Sequence, residues 1–246
     1  MFRKLILATI ASATCLFAVS GAAYATPLLE LFQGETITVN DKLFSNWQLI
    51  TNATLTNGQQ GELSQAQLDS IIAFHLDNDP LNPGLRWDAP VGALGTPFGH
   101  AGPATVNLDF SFRVSTLSGD PLIKDNSLLA TSWVFDAGPL ASISITETIL
   151  STLGAPPPQL GQKAVLITNN GAPIDPDDLA NFAPQSSIDV ITRIFISGPG
   201  TNDGAFLTGF EQRFSQLAST AVPAPGSAAL LMLGLLGLAL QRRVRG

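Results

Sequence analysis

Residues able to do chemistry are thinly spread in this chain. His75 and His100 are its only histidines, and a zinc site would need both together with a carboxylate such as Asp77 or Asp88. A serine hydrolase needs its nucleophile on a constrained turn. No G-x-S-x-G is present, and the serines fall on solvent-phase strand positions. Glu30, Glu35, Glu62, Glu147 and Glu211 are the glutamates. Glu147 and Glu211 lie in expected strands, and two carboxyls would have to stand about 5 to 9 Å apart to cleave a glycosidic bond. Nothing in the spacing sets that distance. Asp77-Asn78-Asp79 and the trio Asp175, Asp177 and Asp178 put hard oxygen donors in loops, making Ca²⁺ the one cation the pattern suits. Neither cluster fits the EF-hand template, since Leu81 stands at its fifth position, and Asp and Asn in loops commonly form turns. The expectation is no catalytic residue and no resident metal. Among the tryptophans, Trp47 and Trp133 sit in apolar strand patterns. Trp87 falls in a long Pro/Gly-rich stretch and is the candidate ring for stacking on a sugar.

The elements that would position these residues read as strands. From Thr105 to Ser115, Val106, Leu108, Phe110, Phe112 and Val114 alternate with Asn107, Asp109, Ser111 and Arg113, the period of a strand with one buried face. Further strands are expected over Glu35–Val39, Lys42–Ile50, Leu128–Phe135, Ala141–Leu150, Lys163–Thr168, Ser187–Ser197 and Gly204–Ser215. Leu43, Ser45, Trp47 and Leu49 are predicted to share one face, as are Phe206, Phe210 and Phe214. Thr51–Gly61 reads as polar and turn-rich, Ser64–Ser70 as one helical turn, and Asp77–His100 as irregular. Eight to ten short strands without a long helix predict an all-β fold. The expected architecture is a single antiparallel β-sandwich, jelly-roll-like, over residues 26–221.

Both ends differ from this body. Arg3 and Lys4 precede an almost wholly apolar run, Leu5–Ala22, and Ala23-Tyr24-Ala25 forms an A-x-A site. Residues 1–25 therefore read as a secretory signal peptide cleaved before Thr26. The only cysteine, Cys15, lies inside it, so the mature part can hold neither disulfides nor thiolate metal sites. At the other end, residues 222–246 read VPAPGSAALLMLGLLGLALQRRVRG. Ser227–Leu240 carries no charge and would make roughly 21 Å of helix, a short membrane span flanked by basic residues.

This tail resembles the PEP-CTERM sorting signal of Gram-negative bacteria on Val222, Pro223, Pro225 and Gly226, the apolar run, and Arg242 and Arg243 with Arg245 behind them. Ala224 stands where that family usually has Glu. The body is similar to exported proteins of the same kind in its segments Asp41–Trp47, Val106–Asp120 and Phe210–Gln216. The resemblance implies an exported precursor held transiently in the inner membrane. It also implies an exosortase-type membrane protease as partner, removal of the tail, and a final place at the cell surface or outside.

Between the two ends stand seven basic against all 19 acidic residues, which disfavours nucleic acid and anionic headgroups as partners. The expected function is a non-enzymatic surface or matrix protein associated with exopolysaccharide or biofilm. The alternative is a secreted carbohydrate-binding module of sandwich fold.

Overall fold

Alternating side chains need an apolar partner for one face only, and two sheets here supply it to each other. The computed structural model describes residues 25–117, 121–169 and 175–217. One seven-stranded antiparallel sheet runs, in spatial order, β1 (Ala25–Pro27), β5 (Ile72–Leu76), β6 (Gly84–Asp88), β14 (Ala205–Arg213), β9 (Ile123–Phe135) and β12 (Asp177–Gln185). β7 (Gly95–Thr96) is added against β14. The other runs β11 (Gln159–Thr168), β10 (Ser142–Ser151), β13 (Ser187–Gly198), β8 (Ala104–Thr116), β3 (Lys42–Thr56) and β2 (Ile37–Val39). Here β4 (Gln59–Gly61) pairs with β3. Two five-residue helices, α1 (Leu28–Phe32) and α2 (Gln65–Asp69), sit beside the strands. Ser64 and Gln67 cap α2 reciprocally, a capping box at the expected helical turn.

Val106, Leu108, Phe110, Phe112 and Val114 are all buried, as are Ile143, Ile145 and Ile149. Phe44 and Phe112 on one sheet meet Phe214 beyond the end of β14 (ring centroids 5.5 and 6.2 Å). Trp47 meets Trp87 across the core at 5.8 Å.

Four expectations are corrected. Leu43, Ser45, Trp47 and Leu49 do not share a face: Phe44 and Trp47 point inward, while Leu49 is exposed. An extra residue in β3 opposite β8, between Ser45 and Gln48, shifts the phase there. Asn46 takes φ 55 within it, a left-handed conformation that asparagine tolerates better than most residues. A second irregularity between Leu49 and Thr51 restores the original phase. Thr51–Gly61 is not a loop but the end of β3, a turn at Asn57-Gly58, and β4. Both turn residues have positive φ, 52 and 80, the geometry for which Asn-Gly hairpin turns are preferred.

Asp77–His100 contains β6 and β7 rather than irregular chain alone. Phe206, Phe210 and Phe214 are all buried, but a register shift at Gly209 separates them. Phe210 and Phe214 join the core with Leu207, while Phe206 packs beneath Phe98. β12, an edge strand carrying Pro184, was not expected: its first residues, Asp177 and Asp178, read as loop donors, and proline is tolerated in it because it lies at an edge.

Candidate functional site

Trp87 is a core residue, not a sugar platform. β6 pairs with β5 on one side and β14 on the other. Its alternation turns Leu85 and Trp87 inward and leaves Arg86 and Asp88 half-exposed. Trp87 is 1% exposed, stacks on Phe210 at 5.7 Å and donates its indole N–H to Gln212 Oε1 at 2.7 Å. Trp47 stacks on Phe112 at 4.5 Å, and Trp133 packs half-buried against the core.

Glu147 and Glu211 lie on opposite sides of the first sheet. Glu211 points outward beside Arg213, with 3.1 Å between carboxylate and guanidinium. Glu147 is fully buried between the sheets in contact with Lys163 and accepts from the Gln212 amide, which also donates to Thr192 Oγ1 at 2.9 Å. Burial pushes the Lys163 ammonium below its ordinary range, against the pull of Glu147.

Among the described residues the histidines join no set of three potential metal ligands. His100 is buried, its Nδ1 hydrogen-bonded to the Gly102 carbonyl. His75 sits on β5 opposite Leu85, its pKa lowered by burial against the opposing charge of Asp77. Asp88 pairs with Arg86 at 2.9 Å. Asp79 accepts the Leu81 N–H at 3.0 Å. Asp178 accepts those of Ala164 and Leu179 at 2.8 and 2.7 Å. These aspartates act on local backbone, and among the described residues no three His, Cys, Asp or Glu side chains converge as a metal set. Ala25, at the expected cleavage site, opens β1 opposite Phe74. Ala23, Val222, Pro223, Pro225, Gly226, Arg242, Arg243 and Arg245 lie outside the described residues. No described helix is long and apolar enough to cross a membrane.

The feature with a geometry for recognition is the outward face of the second sheet. Strand register lays its side chains in cross-strand rows. Leu166, Ser144, Phe195, Asn107 and Ala53 form one row, and Thr146, Arg193 and Asp109 the next. Beyond them come Thr148, Ile191, Ser111 and Gln48, then Asp189 and Arg113. The charges on this face are paired. Arg113 donates twice to Asp189, at 2.8 and 3.0 Å, and this contact raises the pKa of the guanidinium above its ordinary value. Arg193 lies 3.6 Å from Asp109, whose carboxyl is raised by burial against the pull of Arg193 and a hydrogen bond from Thr51.

Two depressions open along β3 on this face, the first of them at the extra residue between Ser45 and Gln48. The first, about 220 Å³, is lined by Asn46, Gln48, Ser111, Arg113 and Asp189 among others. The second, about 420 Å³, includes Asn52, Gln60, Glu62, Thr105 and Asn107. Asn52 braces its rim by exchanging hydrogen bonds with the Leu63 backbone at 2.9 and 3.0 Å. Ser111 and Asn107 are four residues apart on one strand, so the depressions lie about 14 Å apart. Phe195, 45% exposed, stands in the Asn107 row. Sequence reading passed over Gln48, Asn107 and Phe195. The signal for Phe195 was present: inward Ile194 and Ile196 flank it, so an aromatic ring occupies a solvent position.

No protein-family model matches the chain, and no curated protein matches it. Among solved structures, it is similar to a carbohydrate-binding module determined in complex with β-1,4-galactotriose. Identity is 12%, covering 70% of this chain and 88% of the other, with a TM-score of 0.27. A second likeness, from work on promiscuous carbohydrate-binding modules of the β-sandwich superfamily, has 8% identity. It covers 75% of this chain and 97% of the other, at a TM-score of 0.18.

Proposed function

We propose that this protein is a non-enzymatic, exported surface or matrix component whose jelly-roll-like sandwich holds an extracellular polysaccharide on the outward face of its second sheet. The observation that carries the reading is the pair of depressions set along one strand on an open face, in which amides and hydroxyls stand among charged and apolar side chains. Such a surface suits an extended polyhydroxylated chain better than a small molecule, which calls for an enclosed and mostly apolar pocket. Hydroxyl and carboxamide side chains both donate and accept, as sugar hydroxyls do. With Arg113 and Arg193 already partnered by carboxylates and an excess of acid in the mature chain, the face favours neutral polymers over uronate-rich ones. Delivery to the exterior belongs to the same proposal and rests on the two ends of the sequence. An exosortase-type protease would process the precursor while the inner membrane holds it.

Affinity electrophoresis through gels containing neutral or uronate-rich polysaccharides tests the binding. Retardation by at least one neutral polymer is expected. Phe195→Ala should weaken it about fivefold, the scale of one lost ring contact near 1 kcal/mol. Unretarded migration in every neutral gel, or retention unchanged by Phe195→Ala together with Gln48→Ala, would remove this face from the proposal.

A further inference from the structure

A group of buried polar residues takes no part in the outward face of the second sheet. Lys163, Glu147, Thr192 and Gln212 are each sealed from solvent, and Trp87 closes the group from the first sheet. Lys163 and Glu147 are register partners on β11 and β10, whereas Gln212 comes from β14 in the opposite sheet. Glu147 stands between them: one carboxyl oxygen contacts Lys163 Nζ and the other accepts from Gln212 Nε2. Among the described residues no acceptor other than Glu147 reaches Lys163 Nζ. An ammonium here would keep two of its hydrogens unsatisfied in a dry site, which favours the neutral amine.

The parts therefore match an amide-forming site. A neutral amine is the nucleophile. A carboxylic acid touching both reacting groups can move protons, and the Trp87 N–H on Gln212 Oε1 supports charge developing on that oxygen. We propose that Lys163 and Gln212 join spontaneously in an isopeptide bond across the sandwich, with Glu147 as the proton carrier. Lys163 Nζ bonds to Gln212 Cδ, and the Cδ–Nε2 bond breaks. Glu147 gives its proton to the departing nitrogen and takes one from Nζ, so ammonia leaves and Glu147 is regenerated. No oxidant or cofactor is consumed. Holding the reactants on one carboxylate makes the step intramolecular, and burial keeps water from competing.

The test is fragment mass mapping of the purified full chain after proteolysis. A branched fragment joining the Lys163 and Gln212 peptides, lighter than their sum by one ammonia, is expected. It should be missing from Lys163→Met and Glu147→Gln chains. Separate linear peptides in the native chain overturn the proposal even where the variants fail to fold. A Lys163–Glu147 link lighter by one water overturns it too, because Glu147 would then be a reactant. So does a branched fragment persisting in the Lys163→Met chain.

Discussion

Lys42 is a cation with almost no water around it. It is fully buried at the start of β3, bonded to Asp41 at 2.8 Å and to the Gln216 side-chain carbonyl. Burial depresses its pKa from 10.5, and Asp41 opposes that shift. The unfolded chain therefore holds the Lys42 proton more tightly than the folded one does. Stability should rise as pH climbs through the window between the lowered folded value and 10.5. Denaturant unfolding at a series of alkaline pH values checks this: the slope should be positive, and Lys42→Met should flatten it. Little of this was legible beforehand. Lys42 opens an expected strand, and its burial beside Gln216, far away in the chain, has no local signal. Trp87 misled for the same reason. Prolines at 80, 83 and 90 frame it as loop, yet β5 and β14 sandwich its five-residue strand and turn the ring inward.

At the level of elements, β3 shows what alternation can and cannot reveal. Its pattern announces a strand, and β8, β10, β13 and β14 were found close to their observed bounds for the same reason. Periodicity does not announce an added residue, so the side chains of Leu43 and Ser45 were assigned to the wrong face. The Asn46 conformation holds the first of the two shifts and helps to shape the depression it lines. Asn46→Gly should leave stability within about 0.5 kcal/mol. Asn46→Val, with a branched Cβ in a left-handed conformation, should cost about 1–2 kcal/mol. Denaturant midpoints compared with the parent protein test both. Weaker polysaccharide retention in Asn46→Val than in Asn46→Gly would follow if the shift also shapes the binding face.

For the whole molecule, the sandwich class was readable from the number of strands and their turns, whereas partner order within each sheet was not. Neighbours such as β14 and β6 are far apart in sequence, and only three-dimensional packing selects them. The proposed export has its own expected outcome: intact mass and N-terminal sequencing of the extracellular protein should show a chain beginning at Thr26 and ending between Val222 and Gly226. A product still carrying the arginine cluster would make the tail a lasting anchor, with Ala224 the first position to restore to Glu.

The last described residues are well held. Phe214 is buried, the Gln216 amide donates to the Pro80 carbonyl at 2.8 Å, and the Leu217 N–H reaches Leu122 at 3.1 Å. The strand leading there, β14, is interior to its sheet, between β6 and β9. Tension applied at this end would run along β14 and load its two hydrogen-bond ladders together in shear, rather than unzipping an edge one bond at a time. A polymer gripped on the far sheet and a tether at the C-terminus would then pull against each other through the middle of the fold, the route best suited to carry force.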